Sequence, residues 1–421
     1  MLSVVSRVFR APDLRRKILF TLGIVVLFRF GQILPSPGVD VAAVKRCLGG
    51  TRGGLAEMVQ LLSGGAMLQL SVFALGVMPY ITASIIMQLM AVTVPRLEAL
   101  RKEGKQSQIT QYTRYLTVAL AVLNATTVVA LARTGQLFPG CAERVLRDES
   151  LLGVGVLVAV MVAGSCVVMW LGELVTDRGI GNGMSILIFT QVVAVFPSYM
   201  STIFTISPAG GVVMLVTGVF LVAVVVFVEQ AQRRVPVQYA KRLVGRRSYG
   251  GTSTYIPFKV NQAGIVPVIF TTSLLFVPTL FANQLPWLAP YLTGDHPLYM
   301  TVFFLLVVGF TYFYVSITAN PVEMADNIKR YGGFVPGVRP GRATAQYLGF
   351  VLSRLTAPGA LYLGVLALLP LIAFALLRDP STQQNFPFGG ASILIMVSVG
   401  LETVKQIEAQ LQQRNYEGLL R

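Results

Sequence analysis

Charge is scarce in this sequence. Only 12% of its 421 residues are Asp, Glu, Lys or Arg, against about 25% in an ordinary soluble domain. Acids are the scarcer sign, 18 against 34 Lys and Arg. Histidine occurs once, as His296 in the turn-like stretch Gly294-Asp295-His296-Pro297. The three cysteines, Cys47, Cys141 and Cys166, have no metal-ligand spacing, so no Cys/His zinc site is expected. No pair of acids shares an apolar run, which removes the candidates for intramembrane hydrolysis or a proton relay. The run Gly179-Ile180-Gly181-Asn182-Gly183 lacks the Lys and Ser/Thr of a phosphate loop and precedes an apolar run, so it reads as a tight turn. An ATPase and a membrane-embedded transferase both fail for want of residues. The chain is not read as an enzyme, no cofactor or metal is expected, and energy must come from a partner.

What the sequence does have is apolar length. Hydrophobic residues make up 54%. Ten runs approach the roughly twenty residues that cross a bilayer core of about 30 Å: 18–34, 76–95, 115–133, 151–171, 183–203, 211–229, 263–281, 299–319, 356–377 and 391–404. The amino-terminal stretch is basic and amphipathic, with no small-residue cleavage site after the first run, so no cleavable leader is expected. With that terminus in the cytoplasm, the tails and the loops on its side hold 26 Lys and Arg. The other side holds seven: Lys45, Arg46, Arg52, Arg133, Arg144, Arg147 and Arg378. The positive-inside rule then sets both termini in the cytoplasm of a multi-pass plasma-membrane protein. Cys47 and Cys141 share the outer, oxidising side, where they either bond or remain two separate thiols.

The ten runs divide five and five near residues 205–211. An odd number per half gives the halves opposite orientation, the geometry of an inverted repeat with a central site between them. The expected domains are 1–205, carrying spans one to five, and 206–421, carrying spans six to ten. Between Leu55 and Val94 the chain is apolar for about twice one crossing, broken at Ser63-Gly64-Gly65, Gly76 and Pro79. Proline suits a helix's first turn, so a span starts near Gly76, and residues 61–75 read as a shorter helix that does not cross. Irregular backbone at membrane depth is tolerated only inside protein or along a wet cavity, so this segment is expected to be re-entrant. An amphipathic helix on the outer surface is the alternative. Two cytoplasmic loops, 230–259 and 320–342, are long and basic, and long loops more often bind something. The polar residues within runs, Gln88, Asn124, Gln191, Asn261 and Gln262, suit hydrogen bonds between helices.

Several local sequences together resemble one family. They are FALGVMPYITASII from Phe73 to Ile86, LPSPGVD from Leu34 to Asp40, Lys102-Glu103-Gly104 with QYTR from Gln111 to Arg114, and RGIGNG from Arg178 to Gly183. YAKR at Tyr239 to Arg242, KVNQAG at Lys259 to Gly264 and GFVPGVRPG at Gly333 to Gly341 complete the set. The combination resembles SecY, the channel subunit of the bacterial Sec translocon. The regions around Lys45-Arg46-Cys47 and Arg96-Leu97-Glu98 are most similar to actinobacterial members.

The resemblance implies an all-α polytopic protein, a clamshell of two inverted five-helix halves with a re-entrant plug helix. It implies an aliphatic pore ring at Val77, Ile81, Met184, Ile188, Ile269 and Ile395. It implies a plug at Leu61, Leu62, Ser63, Gly64, Gly65, Ala66, Met67 and Leu68, continuing towards residue 75. A lateral gate is implied at Thr82, Gln88, Asn261, Phe276 and Val277, and partner binding at Arg339 beside the basic Arg242, Arg246 and Arg247. The implied partners are SecE, SecG, the SecA ATPase, the ribosome, preproteins and nascent chains, and the lipid bilayer. The implied function is passage of unfolded preproteins and lateral release of transmembrane segments. An inverted-repeat secondary transporter of small solutes is the alternative, though its usual polar midplane groups are missing.

Overall fold

A computed structural model describes residues 12–50, 65–67, 69–135, 145–147, 150–206, 208–239, 242–244, 247–249, 253–280, 296–376 and 390–419. All ten apolar runs fall on helices. These are α1 (Pro12–Ile33), α3 (Met78–Thr93), α5 (Gln106–Arg133), α6 (Leu151–Arg178), α7 (Gly183–Ile206), α8 (Pro208–Gln230), α9 (Val266–Leu280), α10 (Pro297–Thr318), α12 (Arg342–Leu376) and α13 (Gly390–Leu419). Shorter helices are α2 (Val41–Gly50), α4 (Pro95–Lys102) and α11 (Pro321–Arg330). Among the described residues α5, α6, α10 and α12 are long and apolar enough to cross a bilayer, and α3 with α4 forms a fifth candidate bent by 100°. The bend falls where Val94 goes extended ahead of Pro95, because proline disfavours a helical residue before it.

The outward faces are apolar. On α1, Leu22, Val26, Leu27 and Phe30 are all more than half exposed, while Ile24 and Phe28 on the other side are buried. Such a face would be an aggregation site in water; against lipid tails it is the solvated surface.

The chain forms two compact units, the first running to Leu215 and resuming at Ile395, the second starting at Val216 and including the first turn of α13. In the first unit the expected tight turn is present. Asn182 accepts from the backbone N–H of Met184 and Ser185 (3.1 and 3.4 Å), and Gly181 sits at φ +81°. Helices α6 and α7 then pack with almost no room: a Cβ on Gly183 would lie 2.8 Å from the Gly172 carbonyl carbon. Helix α13 continues beyond its apolar run because Ile407 and Leu411 pack on Leu14 and Ile180.

The expected short helix at residues 61–75 is not what the described part adopts. Gly65 to Met67 and Gln69 to Val77 form successive turns around one bridge, while Leu61, Leu62, Ser63, Gly64 and Leu68 lie outside the described residues. Positive φ at Gly65 (+83°), Leu70 (+46°) and Gly76 (+53°) interrupts any helix. The stretch instead hydrogen-bonds alongside the end of α1 and the loop after it: Ser36 N–H to Leu70, Val72 N–H to Leu34 and Phe73 N–H to Gly31.

In the second unit the basic loop after α8 is built of strands, an addition to the expected all-α fold. Strand β1 (Gln232–Tyr239) pairs antiparallel with β4 (Ser253–Lys259), and β5 (Gly333–Phe334) from the second basic loop adds to its other side. The signal was the alternation that buries Val235 and Val237, a period-2 pattern. Strands β2 (Arg242–Val244) and β3 (Arg247–Tyr249) form a separate hairpin.

Candidate functional site

Pro79 stands in the first turn of α3, where its missing N–H costs nothing, and Val77 is the residue that leads into the helix. Ile81 N–H bonds the Val77 carbonyl at 3.1 Å, so the two side chains rise one turn apart on one face. From α7, Met184 and Ile188 repeat that spacing. These four residues belong to one apolar cluster in the first unit, with Val77 and Met184 buried in it and Ile81 and Ile188 packed against it. Phe28, Phe73, Val168 and Leu187 supply its body, and Val399 of α13 touches it. Met184 lies over Gly172, whose Cβ would meet the Met184 sulfur at 2.5 Å. Ile395 is buried at the α13 end of the same unit, and Ile269 is buried on α9 in the second unit.

The segment below this cluster is held by close approaches that the sequence reading missed. The Phe73 ring stacks on Phe28 (centroids 6.1 Å) and occupies the space a side chain on Gly31 would need. Gly164 of α6 faces the Val72 carbonyl. Gln191 lies over Gly76, its Nε2 buried and without a hydrogen-bond partner among the described residues. Ala66 is buried and Met67 half-buried.

Of the expected gate residues, Thr82 is half-buried and donates back to the Met78 carbonyl (3.0 Å). Gln88 is exposed and donates to Ser84 at 3.4 Å. In the second unit Asn261 is buried and donates through Nδ2 to Glu229 at 2.6 Å. Phe276 and Val277 fall on α9, but their side chains lie outside the described residues. Arg242 and Arg247 fall on β2 and β3, paired with Tyr249 and Val244; their side chains, and Arg246 altogether, are likewise outside. Arg339 is exposed, and its carbonyl accepts from Thr344 at 2.9 Å. On the strand-built loop, Arg234 lies over the Tyr255 ring at 4.7 Å.

On α2 Cys47 is disulfide-bonded and buried, and Cys166 of α6 is free; Cys141 lies outside the described residues. Asp40 caps α2, accepting from Ala42 and Ala43. The Ala43 N–H chiefly holds its carboxyl below the ordinary range, with Ala42, Arg147 and Arg46 adding.

Helices with lipid-compatible outer faces, and a broken apolar segment packed against an aliphatic cluster in the first unit, define a polytopic α-helical membrane protein. The chain belongs to the SecY family, whose model matches residues 71–404. It is 57% identical to the protein translocase subunit SecY of Streptomyces galbus over 440 residues, covering all of both chains. The same subunit of Micrococcus luteus and of Mycobacterium tuberculosis is 53% identical, again over the whole of both chains. A solved protein-conducting channel superposes with a TM-score of 0.65 at 19% identity, covering 94% of this chain and 92% of that one. Sec61 from the canine ribosome–channel complex superposes at 0.62 with 18% identity, covering 94% and 92%. At those identities the superpositions establish the fold.

Proposed function

We propose that this chain is the protein-conducting channel of a Sec translocase in the cytoplasmic membrane, with both termini in the cytoplasm. The observation that carries the reading is the single apolar cluster formed by Val77, Ile81, Met184 and Ile188 beside a segment of broken backbone. A pore for polypeptides must pass every kind of side chain, so strong polar contacts at its waist would trap some of them. Aliphatic side chains interact weakly, deform around cargo and close by dewetting. On this reading Ile269 and Ile395 complete the ring, and residues Leu61 to Leu68 with the turns after them form the plug. Thr82, Gln88, Asn261, Phe276 and Val277 line the gate through which apolar segments leave for lipid. Cys47 and Cys141 form the outer disulfide. The exposed Arg339 and the strand-built loop bearing Arg242, Arg246 and Arg247 dock SecA and the ribosome, while SecE and SecG complete the membrane complex.

The test uses the complex reconstituted in vesicles. ATP- and SecA-dependent passage of a preprotein is expected, with no uptake of labelled small solutes. Ile395→Asn is expected to hydrate the waist, raise ion leak and relax the demand for a strong signal sequence. Solute uptake without preprotein passage, or an unaltered ion barrier in Ile395→Asn, overturns the assignment.

A further inference from the structure

Glu229 is an acid at the end of an apolar run, in the last turn of α8, and it is only 8% exposed. Burying a carboxylate without a partner is costly, and breaking a buried pair from one side costs more than replacing both members. Its partner is Asn261, thirty-two residues on, whose Nδ2 donates to Oε1 at 2.6 Å. That is the length of a charge-assisted bond. The backbone around the pair is fixed on two sides. Val260 N–H bonds the Ala231 carbonyl at 3.0 Å, closing the root of the β1–β4 hairpin next to it. Helix α12 presses on the same residues: a Cβ on Gly359 would stand 3.3 Å from the Val260 carbonyl carbon and 3.8 Å from the Asn261 Cα.

A carboxylate only accepts, so the amide nitrogen of Asn261 must face it and the amide oxygen must face away. That oxygen is buried and has no hydrogen-bond partner among the described residues. An orphaned buried acceptor is a standing cost, and this one is aimed by its neighbour.

We infer that Glu229 is a positioning residue that fixes the Asn261 amide with its oxygen outward, so that Asn261 acts at the gate as a hydrogen-bond acceptor and its counterpart there is a donor. The inference rests on the reading of Asn261 as a gate residue. Held this way, Asn261 cannot flip to offer its NH₂ group in place of its oxygen. The hairpin root and Asn261 are held by the same contacts.

Donor and acceptor can be exchanged to test this. Asn261→Asp places two acceptors against each other and removes the bond. Adding Glu229→Gln restores a donor–acceptor pair in the reverse direction, while the second oxygen of the new aspartate still faces outward as an acceptor. Each variant is assembled in the complete reconstituted complex, and translocation is compared for one preprotein with an intact signal and one with a weakened signal. In Asn261→Asp the preference for the intact signal is expected to change by about tenfold, the worth of one charged hydrogen bond. The double variant is expected to return it close to the wild-type ratio. If Asn261→Asp does not accumulate as intact complex, recovery of that complex by Glu229→Gln is the same rescue. Asn261→Leu separates the two readings. If Asn261→Leu leaves signal preference unchanged, the gate role of Asn261 is wrong. If Asn261→Leu alters it but Glu229→Gln fails to rescue Asn261→Asp, or Asn261→Asp behaves as wild type, the positioning role of Glu229 is wrong.

Discussion

Replacing Gly164 with alanine probes how the broken segment is held against α6. A Cβ at this position would overlap the Val72 carbonyl oxygen, lie 2.9 Å from its carbon and 3.2 Å from Phe73 Cδ1. The obstacle is backbone, not the tip of a flexible side chain, so the stretch from Leu70 to Phe73 must shift. Shifting it strains two hydrogen bonds, Val72 N–H to Leu34 (2.9 Å) and Phe73 N–H to Gly31 (3.3 Å), each worth about 1 kcal/mol net. Overpacking around the Phe73 ring adds roughly 1–3 kcal/mol. Alanine returns about 1 kcal/mol of helix propensity, so the net destabilisation is about 2–4 kcal/mol. Gly155 on the same helix has nothing within 4 Å of its would-be Cβ; Gly155→Ala is therefore expected to be neutral or stabilising by up to about 1 kcal/mol. The assay is thermal unfolding of the detergent-purified complex, with ion leak from vesicles as the second readout. Gly164→Ala should lower the transition temperature and raise leak, while Gly155→Ala does neither. Equal behaviour of the two alanine variants would refute the close approach and the account of how the segment is held.

Glu173→Gln removes the charge from a bidentate pair in which Arg114 Nε and Nη2 each bond a carboxylate oxygen at 2.8 Å. With Glu173 only 20% exposed and Arg114 42% exposed, the loss is expected at about 1 kcal/mol, at the low end for a charged hydrogen bond because the arginine is partly screened, read by thermal unfolding. Asp40, whose carboxyl is held low by the Ala43 N–H, contributes stability at neutral pH that is lost as pH falls through its depressed value. Hydrogen-exchange protection at Ala42 to Val44, measured against the intrinsic rate at each pH, should therefore fall in acid in the wild type, and be low at every pH in Asp40→Ala. Arg339→Glu should impair SecA-driven translocation while the protein still inserts in the membrane; normal export by that variant would count against docking at Arg339.

Much of this architecture is written locally. Hydropathy is a property of contiguous residues, so each of the ten apolar runs could be found and each lies on a helix. The turn at Gly179 to Asn182 was legible for the same reason, since glycine carries its own backbone freedom. Two things were misjudged from local signal alone. Residues 61–75 read as a short helix because they are apolar, yet in the described part turns prevail where Gly65, Leu70 and Gly76 take positive φ. The basic loop after α8 read as a loop because its charges masked the alternation of Val235 and Val237.

What the sequence by itself determined was therefore the set of apolar runs that became helices and the family to which the chain belongs. Only the tertiary structure decided which glycines serve as contact surfaces, as Gly31 and Gly164 do for Phe73 and Val72. Only it paired Glu229 with Asn261 across thirty-two residues and gathered Val77, Ile81, Met184 and Ile188 from two helices into one cluster. The physical reason is common to all three. Backbone conformation and hydropathy are fixed within a few residues, whereas packing and hydrogen-bond pairing depend on which distant segments the fold brings within a few ångströms.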